Sequence, residues 1–150
     1  MKIVSKSVAV TKQFAREFVE KISKTAPPAV AAGGATIVGL YGNLGSGKTT
    51  FVQCVAEILG VAEHVTSPTF IIVKSYKLQV TSFKSLIHID AYRLKSGVEL
   101  SKLGFEELLH NPANIIIVEW ADKVADILPL NHIKLRFEFI NETTRKIIFD

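Results

Sequence analysis

The octet Gly42-Asn43-Leu44-Gly45-Ser46-Gly47-Lys48-Thr49 combines residue types and spacings suited to one task, the wrapping of a polyphosphate. Its glycines let successive backbone N–H groups turn inward around an anion, and a helix starting at the lysine adds the positive end of its dipole. In such a loop Lys48 reaches the β- and γ-phosphates and the Thr49 hydroxyl ligates Mg²⁺. At ordinary residue frequencies the pattern arises by chance in about one chain in several hundred of this length. The competing account is a glycine-rich strand-to-helix turn with an incidental lysine.

A phosphate cradle also needs an acid to hold the metal's hydration shell, and the ends of buried strands are its usual source. Leu86-Ile87-His88-Ile89-Asp90 ends on one carboxylate and Ile115-Ile116-Ile117-Val118-Glu119 on another. Parallel strands leaving a sheet at one edge carry both toward the loop, where open α/β sheets bind ligands. Asp90 is assigned to grip Mg²⁺ through water, and Glu119 either to ligate the metal or to orient the attacking water. An acid at a strand end can also simply mark where solvent begins. The segment Thr66-Ser67-Pro68-Thr69 offers hydroxyls to a γ-phosphate or metal, as a nucleotide-sensing switch does, or else forms a plain Ser/Pro turn. Trp120, next to Glu119, either stacks beside the site or belongs to the core. His88 reads as structural within its strand, and His64, His110 and His132 are scattered without metal-ligand spacing. Cys54 reads as packing.

These groups must be positioned by elements. Residues 3–10 look like a short edge strand or an extended lead-in. From Thr11, placed as an N-cap, the apolar residues Phe14, Ala15, Phe18, Val19 and Ile22 recur at helical spacing. Pro27, Pro28, Gly33 and Gly34 bracket an Ala-rich surface connection. Residues 35–41 are a continuous apolar run, as expected of a strand buried on both faces. The helix predicted over 48–59 places Phe51, Val52, Val55, Ile58 and Leu59 on one side and stops at Gly60. Extended runs over 70–78 and 86–91 are joined by a hairpin at 79–84. A helix over 99–109, a strand over 115–118 and a helical turn over 122–128 ended by Pro129 follow. Residues 132–140 and 146–149 alternate around 141–144, a hairpin at the sheet's edge. The order predicts a single α/β domain over residues 1–150, of the P-loop NTPase kind, with a mixed, mainly parallel central sheet flanked by helices.

Composition sets outer bounds. The 150 residues are 48% hydrophobic and 21% charged, which gives material for a core and argues against disorder. One cysteine excludes an internal disulfide framework and suits a reducing compartment. Eighteen Lys and Arg against fourteen Asp and Glu give a net charge of +4, too small to demand a nucleic-acid partner. The surplus sits at the N-terminus, where Lys2, Lys6, Lys12, Arg16, Lys21 and Lys24 face only Glu17 and Glu20. A solvated helix face accounts for it better than a targeting presequence, which avoids acids. The uncharged stretch 26–47 is long enough to span a membrane, but its prolines, glycines and Asn43 make it linker, strand and loop. The expectation is a soluble cytoplasmic protein without a signal peptide.

Taken together, these motifs resemble the TsaE (YjeE) ATPases. The resemblance runs from Leu40-Tyr41 through Thr50-Phe51 at the loop and continues at Val65-Thr66-Ser67-Pro68-Thr69-Phe70, the family's switch segment. It extends to His88-Ile89-Asp90-Ala91-Tyr92-Arg93-Leu94, to Leu103-Gly104-Phe105-Glu106-Glu107-Leu108-Leu109, and to Val118-Glu119-Trp120. The resemblance implies a Mg²⁺-dependent, weakly active ATPase acting in tRNA threonylcarbamoyladenosine biosynthesis. TsaD and TsaB would be its partners, with tRNA met only through their complex and neither DNA nor membrane involved. It places nucleotide and metal contacts at Gly42, Asn43, Leu44, Gly45, Ser46, Gly47, Lys48, Thr49 and Thr50, and at Asp90 and Glu119. Thr11 matches a family position near the nucleotide. Family members usually carry an acid where this chain has Asn43, commonly a small residue at Ser46, and a shorter connection than 27–34.

Two other functions compete. A small-molecule P-loop kinase usually closes an arginine-bearing lid, and beyond the loop this chain has only Arg93, Arg136 and Arg145. A non-hydrolysing interaction module, whose bound ATP only fixes a binding face, is the other. A GTPase is excluded because Asn131-His132-Ile133-Lys134 does not supply the N-K-x-D guanine signature.

Overall fold

Apolar runs bounded by turn residues give the sheet, and amphipathic segments give the helices that cover it. The structure, a computed structural model, describes residues 2–24, 34–66, 72–79 and 82–149. Seven strands, β1 (Lys2–Ser5), β2 (Thr36–Tyr41), β3 (Val73–Lys77), β4 (Ser85–Asp90), β5 (Asn114–Glu119), β6 (Ile133–Asn141) and β7 (Thr144–Phe149), form one sheet in the order β1-β7-β6-β2-β5-β4-β3. The central strands β6, β2, β5 and β4 run parallel, while β3 pairs antiparallel with β4, β7 with β6, and β1 with β7. The mixed α/β architecture with a parallel centre is as the sequence predicts.

Alternation along the central strands splits the core in two. Val38, Leu40, Leu86, Ile115 and Ile117 meet helices α1 (Val8–Lys24) and α2 (Lys48–Ile58). Phe51 joins the two helices to the sheet, with ring centroids 5.5 Å from Phe18 and 5.6 Å from Phe137. On the other face Ile37, Ile87, Ile116 and Val118 pack against α3 (Gly97–Ser101), α4 (Phe105–Leu109) and a 3-10 turn, Ala121–Val124. Both faces of β2 and β5 are therefore buried, which is why their sequences are continuous apolar runs.

Several local expectations are corrected. Helix α1 begins at Val8, so Thr11 lies inside its first turns rather than at the N-cap. Ser7 takes that role, its Oγ accepting from the Val10 N–H at 3.3 Å. The segment expected over 3–10 as an edge strand or extended lead-in is the edge strand β1, which ends at Ser5 instead of reaching residue 10. The helix expected over 99–109 is two short helices, because Gly104 adopts φ 89 between them and breaks the backbone ladder. The β6–β7 hairpin does not lie at the edge: β1 pairs along β7 and takes the outer place. Of the connection at 27–34, residues 27–33 lie outside the described residues, as do 70–71 of the run expected over 70–78 and 80–81 of the hairpin loop expected at 79–84. Among the described residues no helix is long and apolar enough to cross a membrane.

Candidate active site

Strand β2 delivers the chain to Gly42, and the loop closes on α2 at Lys48. Three loop glycines hold positive φ: Gly42 at 146°, Gly45 at 76° and Gly47 at 99°. At Gly42 space is as decisive as conformation, since a Cβ there would lie 2.4 Å from the Phe137 carbonyl oxygen and 2.8 Å from Ser46 Oγ. Gly47 is the N-cap of α2 and brings no side chain to bond the first-turn amides. Those amides and the helix dipole are what an anion needs.

Lys48 is buried, and its Nζ donates to the carbonyls of Gly42 (2.5 Å) and Asn43 (2.9 Å) and to Ser46 Oγ (3.4 Å). The ammonium also sits 4.1 Å from the centre of the Trp120 ring. Burial pushes the Lys48 pKa below that of an ordinary lysine, while Glu119, Asp122 and Asp90 pull it back up. Trp120 holds φ 57, a left-handed conformation uncommon for a bulky residue, directly after β5. That turn puts the indole against both Lys48 and Tyr92, the latter with centroids 5.1 Å apart. Backbone strain of this kind concentrates at functional sites.

The carboxylates emerge from parallel strands at one edge. Asp90 and Glu119 are Cα partners across β4 and β5, each the last residue of its strand. Glu119 is 2% exposed and engaged on both oxygens: Thr49 Oγ1 donates to Oε1 at 2.8 Å and His88 Nε2 to Oε2 at 2.5 Å. Asp90 is half-buried, and its Oδ1 accepts the Tyr92 N–H at 3.0 Å.

A cleft of about 740 Å³ opens along this constellation. It is lined by the phosphate loop from Leu44 through Thr50, by Asp90, Glu119 and Trp120, by the wall that residues of the Ser5–Thr11 segment form, and by the β6–β7 hairpin. Thr11 reaches this wall, its Oγ1 2.7 Å from Ser5 Oγ. Gly42 and Asn43 take part through their carbonyls to Lys48. Leu44 is exposed at the loop's tip. Of the expected switch, Thr66 is exposed and does not line this cleft, while Ser67 and Thr69 lie outside the described residues. Gln53 secures the start of that segment, its Nε2 donating to the Val65 carbonyl at 2.9 Å.

Two residues belong to the site that sequence reasoning passed over. His88 is not simply a strand-filling histidine; it touches Glu119. The signal was present in the two-residue period, which sets His88 and Asp90 on one face of β4. Arg145, at the start of β7, donates from Nε to the Gly45 carbonyl at 2.8 Å and from Nη1 to the carbonyls of Asn141 (2.5 Å) and Thr144 (3.1 Å). It pins the phosphate loop to the hairpin across 100 positions of chain, and no local pattern announces that.

Comparison with known proteins bears on the family and the fold. The family model described as "Threonylcarbamoyl adenosine biosynthesis protein TsaE" matches residues 5–147. A Bacillus subtilis protein named tRNA threonylcarbamoyladenosine biosynthesis protein TsaE is 36% identical over 113 residues, covering 75% of this chain and 68% of that protein. A Rickettsia felis protein of the same name is 38% identical over 110 residues, covering 73% of this chain; the match spans 61% of the relative's length. The crystal structure of Bacillus subtilis YdiB superimposes with a TM-score of 0.70 at 28% identity, covering 99% of this chain and 83% of that one.

Proposed function

This chain belongs to the TsaE family of threonylcarbamoyl adenosine biosynthesis proteins, and from that premise we propose that it binds and hydrolyses ATP with Mg²⁺. It does so in the cytoplasm together with the TsaD and TsaB proteins, supporting threonylcarbamoyl transfer to tRNA. The observation that carries this reading is the Thr49–Glu119 hydrogen bond at the mouth of a glycine loop closed by Lys48. It joins the hydroxyl that a P-loop offers to Mg²⁺ with a carboxylate able to share the ion.

The donor set suits that metal. Mg²⁺ takes oxygen ligands and is commonly held by one or two carboxylates plus substrate phosphates. Thr49 and Glu119 would hold it and Asp90 its hydration shell. When bound, the ion neutralises charge that builds on the β- and γ-phosphate oxygens.

The chain's own groups do the rest. Backbone amides from Gly45 to Thr50 surround the phosphates, and the Lys48 ammonium, released from the Gly42 and Asn43 carbonyls, stabilises negative charge in a site shielded from water. The Trp120 indole covers one side of that ammonium, with the Tyr92 ring packed against the indole. Ser5, Ser7 and Thr11 line the same cleft and border the space left for the nucleoside.

Phosphate release measured with and without the TsaB–TsaD complex tests the reading. Slow release by the chain alone, stimulated by the complex and reduced at least ~100-fold in Glu119→Gln with nucleotide binding retained, is expected. Release that the complex does not change, or that Glu119→Gln leaves intact, contradicts it.

A further inference from the structure

We propose that His88 is a positioning residue that fixes Glu119 for metal binding, an inference that rests on the ATPase reading of the same site. Strand β4 runs Leu86-Ile87-His88-Ile89, and His88 is fully buried in it. Its Nε2 donates to Glu119 Oε2, while its Nδ1 is buried without a hydrogen-bond partner among the described residues. A buried nitrogen left unsatisfied costs on the order of 1–3 kcal/mol. A leucine would fill this position among isoleucines without that cost, so the imidazole is explained by what Nε2 does.

Glu119 presents two oxygens. His88 occupies one from inside the sheet and Thr49 bonds the other from the start of α2. With Oε2 anchored, the carboxylate plane is set and Oε1 is directed at the Thr49 hydroxyl, with which it would hold the metal. Without the imidazole, Oε2 would lie in apolar surroundings and the side chain would turn toward the cleft to find water. The register makes the arrangement rigid: His88 is the Cα partner of Ile117, two residues before Glu119 on the neighbouring parallel strand. Outer-shell partners of this kind are commonly worth ~10–100-fold in metal affinity or activity.

The test compares the full-length wild type with His88→Leu, which keeps burial and volume, and His88→Gln, whose amide nitrogen can reproduce the Nε2 contact. Trp120, the single tryptophan, reports ADP binding in the absence of Mg²⁺. Phosphate release in the presence of the partner complex gives kcat and the Mg²⁺ concentration for half-maximal rate. In His88→Leu the Mg²⁺-free ADP Kd should stay within about twofold of wild type. Its Mg²⁺ half-saturation should rise, or its kcat fall, by at least ~10-fold, and His88→Gln should recover most of the loss. If His88→Leu does not fold, His88→Asn, whose amide is too short to span to Glu119, takes its place with the same expectation. Unchanged Mg²⁺ dependence and kcat in the leucine or asparagine variant overturns the proposal. So does an equal loss of Mg²⁺-free ADP affinity, or a glutamine variant no better than leucine. A wild type that releases no phosphate overturns the ATPase reading and this inference with it.

Discussion

In the proposed function Lys48 meets two demands at once, since its ammonium is to be available to phosphate yet is buried at 5% exposure. Loop carbonyls and the Trp120 ring keep it solvated from within the protein. Hydrogen bonds to charged groups contribute about 1.5–3 kcal/mol, so Lys48→Ala should weaken ATP binding by roughly 10–150-fold. Calorimetric titration reads this, with circular dichroism confirming that the fold is kept. Arg145 acts at one remove: it holds the phosphate loop in place through the Gly45 carbonyl. Arg145→Ala should therefore raise the ATP Kd only a few-fold, about 0.5–1.5 kcal/mol, through a looser loop. A Kd shift as large as that of Lys48→Ala would mean that Arg145 touches the nucleotide itself. Lys48, Thr49 and Glu119 could be read from sequence because local spacing and strand ends constrain them. The strand period places His88 on the face of Asp90 but does not name its partner 31 residues away, and nothing local points to the contact that Arg145 makes across 100 residues.

Elements impose their own constraints. The glycine at position 42 is required by the approach of β6 to the β2–α2 turn, where the Phe137 carbonyl leaves no room for a methyl group. Gly42→Ala should cost about 2 kcal/mol or more, from left-handed strain together with overpacking, as seen in urea unfolding. Unfolding at the wild-type urea midpoint would show that the strand can shift freely. At the start of β6, His132 joins two elements: Nδ1 donates to the Pro129 carbonyl at 2.6 Å, and Nε2 accepts from the Tyr41 hydroxyl at 2.6 Å. Burial lowers its pKa below 6.5; the Pro129 carbonyl opposes this and Lys134 adds to it. The unfolded chain thus takes up a proton near pH 6.5 before the folded one does. Stability contributed by neutral His132 is present above pH 6.5 and is lost as pH falls from there through the lowered folded value. His132→Gln should lose less stability than wild type between pH 7.5 and pH 5 in urea titrations; equal losses would contradict the assignment. The expected helix over 99–109 failed at Gly104 for a related reason. Apolar spacing continues across Leu103 and Phe105, and only the left-handed glycine divides it.

At the scale of the whole molecule, the sheet gathers chemistry from distant sequence. Four parallel strands end at one edge, so the loop after β2 and the acids of β4 and β5 converge without any of them being near in the chain. Apolar runs made that centre legible. The outer strands were harder, because β1 is four residues long and its partners are Arg145–Ile148 at the opposite end of the chain. Within the uncharged stretch at 26–47, β2 lacks charge because both its faces are buried, and the turn after it is built on positive-φ glycines. Co-purification with TsaB and TsaD should depend on ATP if loop occupancy governs the docking face, and retention of the chain without nucleotide would contradict that dependence. The most direct measurement is a crystal structure with Mg²⁺ and a non-hydrolysable ATP analogue. The account predicts triphosphate wrapped by residues 42–50, with the metal between Thr49, Glu119 and Asp90. An analogue bound elsewhere, or a loop that holds no phosphate at saturating concentration, would contradict it.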